Sequence, residues 1–520
     1  MRRRGVLLPL FSNTSTRSWG IGDCGDLPAL ISWLASAGFG DLMLLPLGTM
    51  ADGQSSPYSA CSAMALDPIF LAVESIEDFQ RAGGVAAMPA AAREALDFAR
   101  ASARVDFTSV RMAKSAALEL AFTSFLNDEW AQHSARASQL AAYIARERWW
   151  LDDYALYRAL SQQYGGNWRA WPEPLATRDA HALSEARRQF ASSVLFEQYL
   201  QWLIEGQWQT ARRAAADAGV RIYGDVPFVV DTGSADVWAR AEEFFLDLSA
   251  GVPPDAFSST GQDWGLPVYR WDVIAAGKFQ WLRARARRAS ALFDGIRLDH
   301  LVGFFRTYAR DKDGHAWFTP SEEHTQRWQG EQVLIAMREP GLHVLAEDLG
   351  VIPDFVRAAL TELHVPGYKV MRWERAYHAP GQPFIDPATY PDESVAASGT
   401  HDTETVAEWF DTLPAQDRMA LTGRIGKFNK AVRDLLLTRI LDAGSAQAFI
   451  PMQDIFGWRD RVNTPATVGD HNWTWRLPWP IDTWATVPEA VERAALCRKA
   501  ITVGEPNPVG GPDPVGGPDL

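Results

Sequence analysis

Cysteine is scarce in this chain: three in 520 residues, at positions 24, 61 and 497. They form no CxxC pair, so neither a disulfide framework nor a zinc site is suggested, and a reducing, cytoplasmic setting is expected. Basic charge is also short. Fifty Lys and Arg against 64 Asp and Glu leave a net charge of −14, which argues against nucleic acid or an anionic membrane as partner. No stretch approaches the roughly 20 apolar residues of a membrane span. The beginning, Met1 to Arg4 followed by the apolar run 5–11, superficially resembles a signal peptide. That run is short, is broken by Pro9 and has no prompt small-residue cleavage site, so it reads as a first strand. No GxGxxG or Walker loop follows any strand-like segment, which leaves nucleotide binding unsupported. No His-rich or adjacent-acid spacing points to a metal site, and no metal or other cofactor is expected.

Tryptophan, by contrast, is abundant. Its 22 copies exceed what a core of this size needs, and flat indole faces suit stacking on sugar rings, although many will be core. Strand-like segments recur at 5–10, 41–48, 221–225, 293–302, 343–349, 367–373, 394–402 and 446–450. Several are continuous apolar runs, as in a parallel sheet covered on both faces. Helical spacing separates them at 26–38, 191–218, 278–292, 325–339, 353–363, 403–413 and 418–441. Eight strands alternating with helices predict a (β/α)8 barrel without a separate C-terminal β-sandwich domain; an open doubly wound sheet is the alternative. Residues 1–504 would form one catalytic barrel. It would carry a helical insertion at about 72–200 and a Gly-, Pro- and aromatic-rich loop at about 226–271. The Gly/Pro-rich tail, 505–520, repeats Pro-Val-Gly-Gly-Pro-Asp and is expected to be disordered.

Four of these segments end in acids: Asp225, Asp299, Glu347 and Asp402. In a barrel, chemistry sits at the C-terminal strand ends. One acid with a neighbouring cation, such as Asp299 with Arg297, fits a structural salt bridge as well as it fits catalysis. Four at one level are costly without a purpose, because buried like charges repel. Asp299 and Glu347 fall on consecutive strands, ~4.8 Å apart, close to the ~5–5.5 Å carboxyl spacing of retaining glycosidases. Arg297 should keep Asp299 ionised as a nucleophile. Asp348 should raise Glu347 for general acid/base work. Asp402, beside His401, would hold substrate hydroxyls.

At these residues the chain resembles the amylomaltases, the 4-α-glucanotransferases of the α-amylase superfamily, from about residue 5 to residue 480. Arg297-Leu298-Asp299-His300 resembles the family's nucleophile motif, Ala346-Glu347-Asp348-Leu349-Gly350 its acid/base motif, and Gly399-Thr400-His401-Asp402 its transition-state motif. Tyr223-Gly224-Asp225-Val226-Pro227 resembles the segment with its first acid. Ser56-Pro57-Tyr58 resembles the tyrosine that stacks on sugar at the cleavage point. Pro253-Pro254-Asp255 through Trp264-Gly265 resembles the lid over the acceptor side, and Asn472-Trp473-Thr474-Trp475-Arg476 a donor-side segment. The chain departs from the pattern at Ala256 and Leu266 in the lid and at Arg372-Trp373-Glu374.

The resemblance implies transfer of α-1,4-glucan segments from malto-oligosaccharide, amylose, starch or glycogen to the 4-hydroxyl of another glucan or glucose. Asp299, Glu347 and Asp402 would be catalytic. Tyr58, Asp225, Trp264, Arg297, His300, His401 and Asn472 would bind substrate. No cofactor is implied, and the oligomeric state, monomer or dimer, is left open. Hydrolysis of the same glucans is the alternative reading, and a non-catalytic glycan-binding protein is a third.

Overall fold

The computed structural model describes residues 2–51, 53–254, 261–467 and 469–503. Its strands in chain order are β1 (Arg3–Leu7), β2 (Asp41–Met43), β3 (Arg221–Val226), β4 (Phe244–Val252), β5 (Gln262–Tyr269) and β6 (Gly295–Leu298). They are followed by β7 (Thr307–Arg310), β8 (Ala316–Thr319), β9 (His343–Ala346), β10 (Gly367–Val370), β11 (Ser394–Ala397) and β12 (Gln447–Pro451). Eight of these close a parallel barrel in the order β1, β2, β3, β6, β9, β10, β11, β12. Each corresponds to one of the eight expected segments, and sequential strands are neighbours throughout. The fold is a (β/α)8 barrel.

Side chains alternate across the barrel wall, as the period of two in a strand requires. Leu7, Met43, Tyr223, Leu345, Tyr368, Val370, Val395, Ala397 and Phe449 pack as an interior cluster. Val6, Leu42, Ile222, Ile296, Leu298, Val344, Ala396 and Ile450 face outward into the helix layer. The N-terminal mouth is plugged by polar groups. Asp41, fully buried, accepts from Arg3 Nε at 2.8 Å, Arg221 Nε at 2.9 Å and Gln447 Nε2 at 3.0 Å. Gly295 is required just above: a Cβ there would lie 2.2 Å from the Tyr223 ring and 2.8 Å from the His343 carbonyl oxygen.

Pairing stops earlier than the apolar runs suggest. β2 ends at Met43, β6 at Leu298, β9 at Ala346 and β11 at Ala397. Asp225 therefore lies within a strand, while Asp299, Glu347 and Asp402 lie just beyond strands, in the turns that leave the barrel. The expected helix at 418–441 is two helices, Ala415–Thr422 and Lys430–Leu441. The first ends on Gly423 at φ 67°, and the Asn429 side chain caps the second by accepting from the Ala431 and Val432 N–H groups. Residues 226–271 are not simply a loop. They carry the helix Ala235–Ala239 and the strands β4 and β5, which join β7 and β8 in an antiparallel sheet ordered β5, β4, β7, β8. Dense Gly and Pro hid this hairpin's alternation, and register shifts interrupt its pairing.

Between β2 and β3 lie the long helices Phe107–Phe125, Ala135–Tyr164 and Ala191–Asp217. Ser134 caps the second at the Ala137 N–H (3.1 Å), and Gly165 ends it at φ 87°. Ala256 and the 505–520 tail lie outside the described residues. Among the described residues no helix is long and apolar enough to cross a membrane.

Candidate active site

The site is built from β3, β6 and β9 and the turns beyond β6, β9 and β11. Asp225 and Arg297 are register partners on adjacent strands, and both point into the barrel. Arg297 Nη1 lies 2.8 and 2.6 Å from the two Asp225 oxygens and 2.9 Å from Asp299 Oδ1. Beyond Leu298 the backbone turns at once: His300 adopts the left-handed region at φ 46°, a conformation rare for a non-glycine residue and worth noticing at a site. The turn is tied to β9. The His300 N–H donates to Glu347 Oε2 at 2.9 Å, and the Glu347 N–H donates to the Leu298 carbonyl at 3.1 Å. Since Leu298 pairs with Ala346, Asp299 and Glu347 leave the sheet side by side.

Their surroundings separate their charges. Burial pushes Glu347 up to about 8; Arg297 opposes this, while Asp299 and then Asp348 add to it. Asp348 is thus a minor cause, contrary to the expectation from its position. It turns outward, accepting from the Tyr368 N–H at 2.7 Å and from Arg357 at 3.0 Å. Asp299 is lifted by burial to about 6, with Arg297 pulling it down and Asp225 pushing it up. Arg297 therefore does not hold Asp299 at an ordinary carboxylate value, because burial outweighs it. Asp402 behaves oppositely. Burial alone would raise it, but His401 and Asn463 outweigh burial and bring it down to about 2. Asn463 Nδ2 donates to Asp402 Oδ1 at 2.6 Å, and His401 Nε2 lies 3.1 Å from Oδ2.

Tyr58 joins the two sides of the mouth. Its hydroxyl donates to Asp225 Oδ2 at 2.8 Å and lies 3.0 Å from His401 Nε2, and its ring stacks on the His401 ring at 5.4 Å. On the opposite side, Trp264 of β5 meets His300 edge-on at 4.8 Å. Burial brings His300 down to about 4, so its imidazole is neutral at physiological pH. Asp225, Arg297, Asp299, His300, Glu347, Asp402, His401, Tyr58 and Trp264 are thus linked by contact into one cluster. Asn472 is not part of that chain of contacts. It accepts from the Thr464 N–H at 2.9 Å and donates to the Thr467 carbonyl at 3.0 Å, bracing the loop that carries Asn463.

Asn463, in a segment Asn463-Thr464-Pro465 that like Asn472 resembles the family's donor side, was not expected to touch Asp402, and neither was Arg461, whose Nη2 donates to the Asp402 carbonyl at 3.0 Å. No local pattern links positions about sixty residues apart. Among the described residues, no group of three or more His, Cys, Asp or Glu is arranged to hold a metal ion.

A closed parallel barrel with buried, oppositely shifted carboxylates at its C-terminal mouth defines a (β/α)8-barrel enzyme. Residues 8–482 match the family model described as 4-alpha-glucanotransferase. The 4-alpha-glucanotransferase of Synechocystis sp. is 33% identical over 93% of this chain and 95% of its own length. That of Thermus thermophilus is 34% identical over 88% and 92%. The amylomaltase of Streptococcus agalactiae, solved with acarbose, superposes with a TM-score of 0.81 at 25% identity, covering 97% of this chain and 99% of its own. The chain belongs to glycoside hydrolase family 77, the 4-alpha-glucanotransferases.

Proposed function

We propose that the barrel mouth carries out retaining transfer of α-1,4-glucan segments, with Asp299 as nucleophile and Glu347 as general acid and base. The observation that carries this reading is the pairing of two adjacent buried carboxylates, one raised to about 8 and the other to about 6 beside a guanidinium. Near neutral pH, Glu347 holds a proton and Asp299 does not. Asp299 attacks C1 of the glucosyl unit while Glu347 protonates the departing glycosidic oxygen, giving a glycosyl-aspartate and releasing the reducing-end fragment. Glu347, now a carboxylate, takes the proton of an acceptor 4-hydroxyl, which attacks C1 and frees Asp299. Two inversions retain the α configuration.

Asp402, ionised and fixed by His401 and Asn463, holds sugar hydroxyls of the donor. Tyr58 offers its ring to the same sugar, and Trp264 with neutral His300 lines the acceptor side. Asn472 contributes by bracing the Asn463 loop. The donors are malto-oligosaccharides, amylose, starch or glycogen, and glucose is the smallest acceptor. Water in place of the acceptor would give hydrolysis, so a site that excludes water favours transfer. The three cysteines are buried free thiols, which supports a reducing, cytoplasmic setting.

Purified protein incubated with maltotriose tests the reading. Glucose together with a ladder of oligomers longer than three units is expected. Shorter products alone would establish a hydrolase, and unchanged maltotriose would leave only glycan binding.

A further inference from the structure

The two nitrogens of His401 have different fates. Nε2 faces two acceptors. One is the Asp402 carboxylate, 3.1 Å away. The other is the Tyr58 oxygen, 3.0 Å away. The Tyr58 hydrogen is already donated to Asp225, so that oxygen accepts. Nε2 must therefore carry a hydrogen. Yet Nδ1 is buried with no hydrogen-bond partner. A buried acceptor, Gln453 Oε1 on the short helix Met452–Phe456 after β12, is unpartnered as well.

Both side chains line the same cavity, about 10 Å³ in volume, the size of roughly one water molecule. The other polar side chains around it are engaged. Thr403 bonds the Thr400 backbone, Glu404 pairs with Arg372, Asp454 takes Ser398 and the Val406 N–H, and Arg461 donates to the Asp402 carbonyl. Neither atom bonds the other directly. A water molecule between them, able both to donate and to accept, satisfies both at once.

We infer that Gln453 is a positioning residue for His401, acting through one buried water that bonds His401 Nδ1 and donates to Gln453 Oε1. The inference rests on the reading that Asp402, fixed by His401, holds hydroxyls of the donor glucan. The water pins the ring against rotation about its Cβ–Cγ bond and keeps the Nε2–H aimed at Asp402. The orientation of His401 against Asp402 is thereby set by a residue outside the acidic cluster.

Gln453→Met removes the acceptor at nearly constant volume. In maltotriose disproportionation kcat should fall about tenfold with KM nearly unchanged, as when an interaction realised in the transition state is weakened. In a His401→Gln background the same change should cost nothing further, because its effect runs through the imidazole. The ring ¹⁵N signals of His401, identified by their loss in His401→Gln, should shift between the wild type and Gln453→Met. Equal losses in both backgrounds, or full activity with an unchanged His401 spectrum, would overturn the inference. If Gln453→Met does not fold, a high-resolution crystal structure of the wild type decides. A water within hydrogen-bond distance of both atoms supports the inference, and a dry cavity or a direct Gln453–His401 bond refutes it. Wild-type enzyme that transfers glucan with a dry cavity would refute this inference alone, whereas wild type that makes no longer oligomers would refute the proposed function.

Discussion

Arg297 lies closer to Asp225 on the neighbouring strand, at 2.6 Å, than to Asp299 two residues further along its own chain, at 2.9 Å. The same nitrogen makes both contacts. One buried guanidinium thus serves two carboxylates, and Asp299 receives the lesser share. This explains why Asp299 sits at about 6 under burial, above the ordinary carboxylate range, although an arginine stands beside it.

Removing that cation should be costly. Arg297→Met leaves Asp225 and Asp299 buried without a partner charge, and stripping one member from a buried ion pair costs about 3–5 kcal/mol. Urea unfolding should show a midpoint lowered accordingly. A variant as stable as wild type would mean that the carboxylates find another partner.

Asp299→Asn should abolish transfer, since an amide cannot form the glycosyl ester. Glu347→Gln should lower kcat by about 10²–10⁴, the usual worth of a positioned acid and base. Circular dichroism and thermal unfolding should stay close to wild type in both. Full transfer activity in either variant would remove that residue from the mechanism.

The pH profile of transfer should be bell-shaped, with apparent values near 6 and 8 that belong to the coupled pair. Activity falls below the lower value because the nucleophile takes up a proton. It falls above the upper one because the acid has lost its proton before it can assist the leaving group. Arg297→Lys should raise the lower limb, since weaker pairing leaves Asp299 more easily protonated. Initial rates of glucose release from maltotriose at constant ionic strength would measure both limbs; a flat profile from pH 5 to 9 contradicts the assignment.

Gly295→Ala should destabilise the barrel although it only adds a methyl group. The added Cβ would meet the Tyr223 ring at 2.2 Å, and that ring is fixed by Gln447, which donates to its hydroxyl at 2.9 Å. Overpacking of this kind costs about 1–3 kcal/mol. Thermal unfolding of the variant reads it directly, and an unchanged midpoint would show that the interior layer can shift.

The barrel was legible in the sequence because its evidence is local. Buried parallel strands are apolar on both faces, so eight short runs stand out, and acids mark where four of them meet the open mouth. The motifs around Asp299, Glu347 and Asp402 were equally visible, since chemistry and chain neighbours coincide there. The hairpin of β4 and β5 was not, because glycines and prolines broke the alternation that would have marked it.

Sequence alone determined the eight barrel strands and the acids that stand at the ends of four of them, which follow from periodicity and residue type. Tertiary structure decided the charges. Only packing shows that Asp348 turns away from Glu347, that Asp225 takes the nearer side of Arg297, and that Asn463 reaches Asp402 from a distant loop. A carboxyl group's proton affinity depends on burial and on partners within a few ångströms, and those partners come from separate strands and loops that only the closed barrel brings together.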